Sequence, residues 1–166
     1  KNNSLTCSIS FIDYTGKHEG ITWHLPYTTI FIGELTAIVE ASIIIDNNKE
    51  HFENQITTDS LSSIMTLKKM SNSSTFVKHL ISHYKPTKLK WVRSHQDLMI
   101  DDSILRSMRI ANHWADYHAE AAHIQPISIP ESWNNMIWVL NTTSNKINKS
   151  VTEEIKSLHS PNKTLI

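Results

Sequence analysis

Three acidic side chains have the types and positions that could support phosphodiester hydrolysis. Asp59 ends a short extended run just before a helical pattern, while Glu34 and Asp116 lie near the predicted starts of two other helices. In-line hydrolysis requires stabilisation of both the attacking water and the leaving oxygen, which two divalent ions about 3.5–4 Å apart provide. Mg²⁺ and Mn²⁺ favour carboxylate oxygens as ligands. The three acids therefore form a candidate metal site, provided that the fold brings them together.

Each candidate residue also has a simpler interpretation when it is taken alone. A carboxylate before a helix is stabilised by the positive end of the helix dipole, so Asp59 could act only as a cap beside Ser60. His95, in the loop after a predicted strand, is either a solvated histidine or a group that transfers protons near neutral pH. Six other acids are assigned to surface or capping roles: Glu40, Asp46, Glu53, Asp97, Asp101 and Asp102.

Hydrophobic periodicity predicts the elements that would position these side chains. Alternation over residues 5–11 and 21–25 predicts a β-hairpin with a turn at 14–20. Leu61, Ile64 and Met65 form one apolar stripe of a helix that Ser60 caps. The remaining predicted elements are helices at about 34–45, 75–84 and 108–122 and strands at 54–58 and 89–94. The order β-β-α-β-α-α-β-α indicates an α/β fold, a mixed sheet with helices packed on it.

Composition narrows the classes of protein to which the chain can belong. Sixteen basic and sixteen acidic residues cancel, so nucleic-acid contacts would have to come from local patches. The ten histidines are scattered without zinc-ligand spacing. The single cysteine, Cys7, and the lack of a membrane-spanning apolar run predict an intracellular protein, nuclear or cytoplasmic. Pro126 and Pro130 indicate a boundary between a domain at 1–125 and an appendage or linker at 126–166.

Four short motifs resemble those of the ribonuclease H family, in the family's order, and cover about residues 4–122. The family's patterns are an "A-E-L-x-A-I" helix start, a "T-D-S" strand end, a "W-V-x-x-H" strand and loop, and an "N-x-x-A-D" helix start. The corresponding segments are Gly33-Glu34-Leu35-Thr36-Ala37-Ile38, Thr58-Asp59-Ser60, Trp91-Val92-Arg93-Ser94-His95 and Asn112-His113-Trp114-Ala115-Asp116. The extended loop after His95 is most similar to the ribonuclease H domain of non-LTR-type retroelement reverse transcriptase polyproteins.

The resemblance implies a ribonuclease H-like mixed sheet of five strands flanked by helices. It implies an endonuclease that uses Mg²⁺ or Mn²⁺ to hydrolyse the RNA strand of an RNA–DNA hybrid. Glu34, Asp59 and Asp116 match the family's metal ligands, and His95 matches a histidine that helps proton transfer or product release. The implied partners are the hybrid and a covalently linked reverse transcriptase domain, with no membrane.

One family feature is not found in this sequence. The family's first strand carries an aspartate in a "D-G-S" motif, but only one strand separates Asp13 from Glu34, where the family has two. We expect this central strand either to lie upstream of Lys1 or to be lost, which leaves the metal site one ligand short. An alternative is therefore a catalytically incomplete ribonuclease H-like domain that acts as a nucleic-acid-binding or scaffolding module.

Overall fold

The computed structural model describes residues 4–13, 15–26, 28–70 and 74–134. Within these ranges the fold is mixed α/β, with one antiparallel sheet of two strands and one parallel sheet of two strands. The elements are β1 (Leu5–Ile12), β2 (His18–Leu25), α1 (Ile30–Asn47), β3 (Gln55–Thr58), α2 (Leu61–Lys69), α3 (Thr75–Ser82), β4 (Lys88–Trp91) and α4 (Ser103–Ala121). Two short 3₁₀ turns follow, at Ala122–Ile124 and Glu131–Trp133. The predicted order of strands and helices is confirmed.

Strands β1 and β2 form the predicted hairpin, with Leu5 opposite Leu25 at its open end. The Asp13 carboxylate closes the turn by accepting the backbone N–H groups of Thr15 and Lys17 at 2.8 and 3.0 Å. The predicted turn at 14–20 was too long, because β2 begins at His18. Asp13 is thus occupied in a local turn at the exposed end of the hairpin.

The two sheets are connected through the same pair of helices. Helices α1 and α4 each contact both β1 and β3. Strand β1 pairs only with β2, and β3 pairs only with β4, so no strand of the described residues is hydrogen-bonded between β1 and β3. The core lies where α1 covers β1, with Leu35 and Val39 fully buried and Cys7 and Ile9 facing them from the strand. Burial, reinforced by the charge of a nearby glutamate, raises the pKa of the Cys7 thiol to about 12.

Two helices begin earlier than the sequence predicted, because their caps lie upstream of the apolar pattern. Thr29 accepts the Ile32 N–H and starts α1 at Ile30, so Glu34 lies one turn inside the helix and not at its start. The Asp102 carboxylate accepts the N–H groups of the second and third residues of α4. Asp116 therefore lies well inside α4 and not near its beginning.

The predicted apolar stripe of α2 is wrong. Leu61 and Met65 are 55% and 45% exposed, whereas Ile64 is buried together with Ser63 and Leu67. Of the predicted stripe only Ile64 lies on the buried face, which Ser63 and Leu67 complete. The other boundaries shift slightly, since α3 ends at Ser82 and β4 ends at Trp91.

Residues after the two prolines return to the core. The Trp133 indole is 1% exposed and donates its Nε1–H to the Thr36 hydroxyl of α1 at 2.9 Å. The Ser132 N–H is bonded at 3.1 Å to the carboxylate of Glu40, which is buried and not the surface acid that the sequence indicated. Ser132 and Trp133, which follow the predicted boundary at residue 126, thus pack on α1, while the division into two domains stays a prediction. Most of the predicted appendage, residues 135–166, lies outside the described residues.

We expect Trp133→Ala to destabilise the chain by about 3–5 kcal/mol, the usual cost of removing a buried aromatic side chain. The substitution leaves a cavity against α1 and removes the bond that the Thr36 hydroxyl accepts, although this hydroxyl still donates to the Ile32 carbonyl. Urea unfolding followed by circular dichroism measures the loss. Trp91→Ala is the matched control, since Trp91 is 47% exposed. Equal losses for the two variants would contradict the placement of Trp133 in the core.

Candidate metal centre

Glu34 is positioned by the close packing of α1 on β1. A Cβ atom at Gly33 would lie 2.1 Å from Cδ2 of Leu5, so a larger residue beside Glu34 would require the Leu5 side chain to move. Gly33 is buried and Glu34 is half-buried. The close packing of α1 on β1 at Gly33 therefore helps to position the Glu34 carboxylate.

Asp59 follows β3 and is held by contacts from two other elements. The Trp91 indole Nε1–H donates to the Asp59 backbone carbonyl at 3.2 Å, which joins it to the end of β4. The Asn112 amide donates to the Asp59 carboxylate Oδ2 at 3.3 Å, which joins it to α4. Ser60, not Asp59, caps α2, because its hydroxyl accepts the Ser63 N–H at 3.4 Å. The Asp59 carboxylate is consequently free of the capping role that was its simpler interpretation.

Asp116 is positioned by the packing of α4 on the hairpin. The Ser8 hydroxyl of β1 donates a hydrogen bond to the carbonyl of Ala115, the residue before Asp116. Next to it, the Trp114 ring stacks on the His18 ring of β2 with centroids 3.5 Å apart and planes 17° apart. Because these two contacts involve consecutive residues of α4, together they restrain the position of the helix along the hairpin and its rotation about its own axis.

The electrostatics of the site show that the three carboxylates lie near one another. Burial raises the pKa of Glu34; the nearby Ser60 hydroxyl opposes this change, and the charges of Asp59 and Asp116 raise the pKa further. Burial also raises the pKa of Asp116, as does the charge of Asp59, while the charges of His95 and His113 oppose the increase. The negative charges of neighbouring acids thus contribute to the raised pKa of both Glu34 and Asp116, and a nearby cation would offset them.

His95 lies on the α4 side of this site, in the loop after β4. It is exposed and has a φ of 53°, a left-handed conformation in which histidine is enriched among residues other than glycine. His95 and Asp116 both line a small cleft between the loop and α4. The structure therefore brings all four residues singled out in the sequence to one region of the molecule, although their chemical roles stay predictions.

The donor chemistry of the three acids suits a hard divalent ion, but their arrangement is open. Within the described ranges, no three histidine, cysteine, aspartate or glutamate side chains meet closely enough to hold a metal ion. Mg²⁺ usually keeps several waters and uses only one or two protein carboxylates. The carboxylates of Glu34, Asp59 and Asp116 are the type of ligand that such an ion uses, but their spacing does not form a closed set of three ligands.

Sequence reasoning assigned no role to two neighbours of the carboxylates. Asn112 is buried and holds Asp59, and His113 lies close enough to affect the pKa of Asp116. The available signal was helical spacing, since Asn112 is four residues before Asp116 and side chains at that spacing share one face of a helix. Trp91 gave no comparable signal, because its bond to the Asp59 backbone depends on how the strands pair.

Comparison with known proteins adds no family assignment. No known family's sequence profile matches the chain, and no curated protein matches it either. Among the helices of the described ranges, none combines the length and apolarity needed to cross a membrane. The resemblance to ribonuclease H therefore depends on the four motifs in the sequence and on the geometry described above.

We expect Glu34→Gln to raise the free energy of unfolding in the absence of divalent ions, by less than about 1 kcal/mol because the charges are partly solvated. The raised pKa of Glu34 means that folding favours its protonated form, so native stability falls as pH rises from the ordinary value of 4.5 through the raised value. The gain from the substitution should be largest above this window and should vanish below it. Thermal unfolding across this pH range measures it.

Glu120→Gln is the matched control, since Glu120 is an exposed acid of α4 outside the cluster. Added Mg²⁺ should stabilise the wild-type chain more than Glu34→Gln, because an ion bound to the native state stabilises it. A gain for Glu34→Gln that is the same at all pH values would contradict the proximity of the acids.

Proposed function

We propose that the chain is a ribonuclease H-like domain that hydrolyses the RNA strand of an RNA–DNA hybrid with Mg²⁺ or Mn²⁺. The observation that carries the proposal is the hydrogen bond from Asn112 to Asp59, which joins α4, the helix that carries Asp116, to the end of β3. The charges of Asp59 and Asp116 also contribute to the raised pKa of Glu34, and the same three acids match the family's motifs. The extended loop at Ser94–Asp97 favours a domain of a retroelement reverse transcriptase. Such a protein would act inside the cell, covalently linked to the polymerase that makes the hybrid.

In this proposal the chain's own residues bind, orient and transfer protons. Glu34, Asp59 and Asp116 would hold the metal, which when bound supplies charge stabilisation to an in-line displacement at phosphorus. Asn112 keeps the Asp59 carboxylate turned towards α4 through its amide hydrogen bond. His95, exposed beside Asp116, is suited to move a proton to or from the reacting oxygen. The 2′-hydroxyl of RNA distinguishes the strand that is cut from DNA.

The arrangement of the strands supports the finer fold assignment. Among the described residues, β1 and β3 are each unpaired on one side, yet the same two helices cover both strands. A ribonuclease H-like sheet has a central strand in the corresponding position, and that strand carries the family's remaining aspartate. The proposal therefore expects one more strand between β1 and β3, and with it a fourth carboxylate beside Asp59.

A second function is favoured by a specific observation, the open arrangement of the acids. Since no three metal-ligating side chains meet closely within the described part of the chain, a domain lacking the central strand would bind nucleic acid or neighbouring domains without cutting. The two functions differ in a simple way. The hydrolase binds and cuts the hybrid when Mg²⁺ is present, whereas the binding module only binds it.

We expect Asp59→Asn to reduce hybrid cleavage by at least about 100-fold, since loss of a metal ligand removes several kcal/mol of transition-state stabilisation. The asparagine keeps the size of the side chain and an oxygen that can accept the Asn112 bond, so the fold should persist. The measurement is cleavage of end-labelled RNA in a hybrid by the full-length protein, with Mg²⁺ or Mn²⁺.

Asp101→Asn is the control, because Asp101 is an exposed loop acid outside the cluster. The control should cut at the wild-type rate, and neither RNA nor DNA duplexes should be cut. Equal cleavage by the Asp59 variant and the wild type would remove Asp59 from the site. Tight binding of the hybrid without any cleavage by the wild type would favour the binding module.

A further inference from the structure

A cleft beside the carboxylates carries positive charge that the proposed hydrolysis does not use. Its volume is about 40 Å³, and it lies between the loop after β4 and the helix α4. Its lining residues are Arg93, His95, Gln96, Leu98, Arg109, Asn112, His113 and Asp116. We call it the arginine cleft. It combines two guanidinium groups and two imidazoles with a single acid, Asp116, in a chain whose charges otherwise cancel.

Arg109 is anchored in the cleft but is only partly used. Its Nη1–H donates to the backbone carbonyl of Asp97 at 2.7 Å. Its Nε–H is buried and has no hydrogen-bond partner among the described residues. Since a guanidinium carries five donors and buried donors are normally paired, Arg109 has the donor capacity of a binding group. The Asp97 carboxylate forms no ion pair with Arg109 within the described ranges, and its Oδ1 accepts the Met99 N–H.

Arg93 supplies a second cation at the mouth of the cleft. It is exposed, and within the described ranges it makes no hydrogen bond or ion pair. The two ion pairs of the described residues, Lys17–Glu19 and Asp46–Lys49, lie elsewhere. The cleft is thus lined by one exposed arginine without an ion pair and by one half-buried arginine with a spare donor. That geometry suits the tetrahedral oxygens of a phosphate, which guanidinium groups bind with two parallel N–H···O bonds.

We propose that the arginine cleft binds one backbone phosphate of the nucleic acid near the bond that is cut. The inference rests on the proposed function for the identity of the ligand, and it goes further by assigning a substrate-positioning site to Arg93 and Arg109. The cleft shares Asp116 and His95 with the candidate metal centre, so a strand lying across the acids would pass over it. A phosphate bound there would set the register of the strand at the metal centre.

A structural role for Arg109 makes a different prediction. Its bond to Asp97 attaches the loop to α4, so a purely structural arginine would affect stability and leave the salt dependence of binding unchanged. A phosphate contact adds to that dependence, because each neutralised phosphate releases condensed counterions. Arg93 separates the two roles clearly, since it has no hydrogen bond within the described residues that its replacement could remove.

The test is binding of a labelled RNA–DNA hybrid to the full-length protein in EDTA, where the hybrid stays intact, at several salt concentrations. We expect Arg93→Gln and Arg109→Gln each to weaken binding and to reduce the slope of log K against log salt by about 1. Arg106→Gln is the matched control, because Arg106 is an exposed residue of the same helix outside the cleft. Circular dichroism and thermal unfolding check that each variant is folded.

Hybrids with a neutral methylphosphonate at single positions identify the phosphate. One position should weaken wild-type binding several-fold and have little further effect on the Arg93 or Arg109 variant, since the two changes remove the same contact. Wild-type affinity and slope in Arg93→Gln would overturn the inference, even if the protein cuts hybrids. Arginine-dependent binding without any cleavage would support the inference while contradicting the hydrolase. Failure to bind any hybrid would overturn both.

Discussion

The packing that holds Glu34, Asp59 and Asp116 in one region is the constraint on which the candidate site depends. Burial raises the pKa of Glu34 and Asp116, and the charge of Asp59 raises both further. Carboxylates repel one another, so the surrounding elements must hold Glu34, Asp59 and Asp116 in place. Helix α1 packs closely on β1 at Gly33, and the hydrogen bond from the Ser8 hydroxyl to the Ala115 carbonyl attaches α4 to the hairpin. Perturbed acids of this kind are concentrated at functional sites.

The order of elements could be predicted from the sequence, because alternation and helical spacing are local signals. The hairpin, β3 and the helix that Ser60 caps all follow from it. The starts of α1 and α4 could not be predicted from apolar spacing, since Thr29 and Asp102 set them through capping bonds outside the apolar pattern. The face of α2 was missed because Leu61 and Met65 look like core residues until the position of the sheet is known.

The acids of the site could be predicted, but their supporting residues could not. Motif order singled out Glu34, Asp59 and Asp116, which lie on three separate elements. The roles of Asn112 and Arg109 depend on contacts with Asp59 and the Asp97 carbonyl, across 53 and 12 residues of chain. Such contacts leave no periodic signal. Glu40 was wrongly assigned to the surface for the same reason. Its carboxylate accepts a hydrogen bond from the Ser132 N–H, 92 residues later in the sequence.

The burial of the Trp133 indole has a consequence for the order in which the core forms. Trp133 and its partner Thr36 are 97 residues apart, so their contact closes a loop that contains most of the described chain. Closing so long a loop is entropically costly and slows folding. During synthesis, which proceeds from the N-terminus, β1 is available to cover α1 first, and Trp133 can complete this part of the core only after residues 131–133 have been translated.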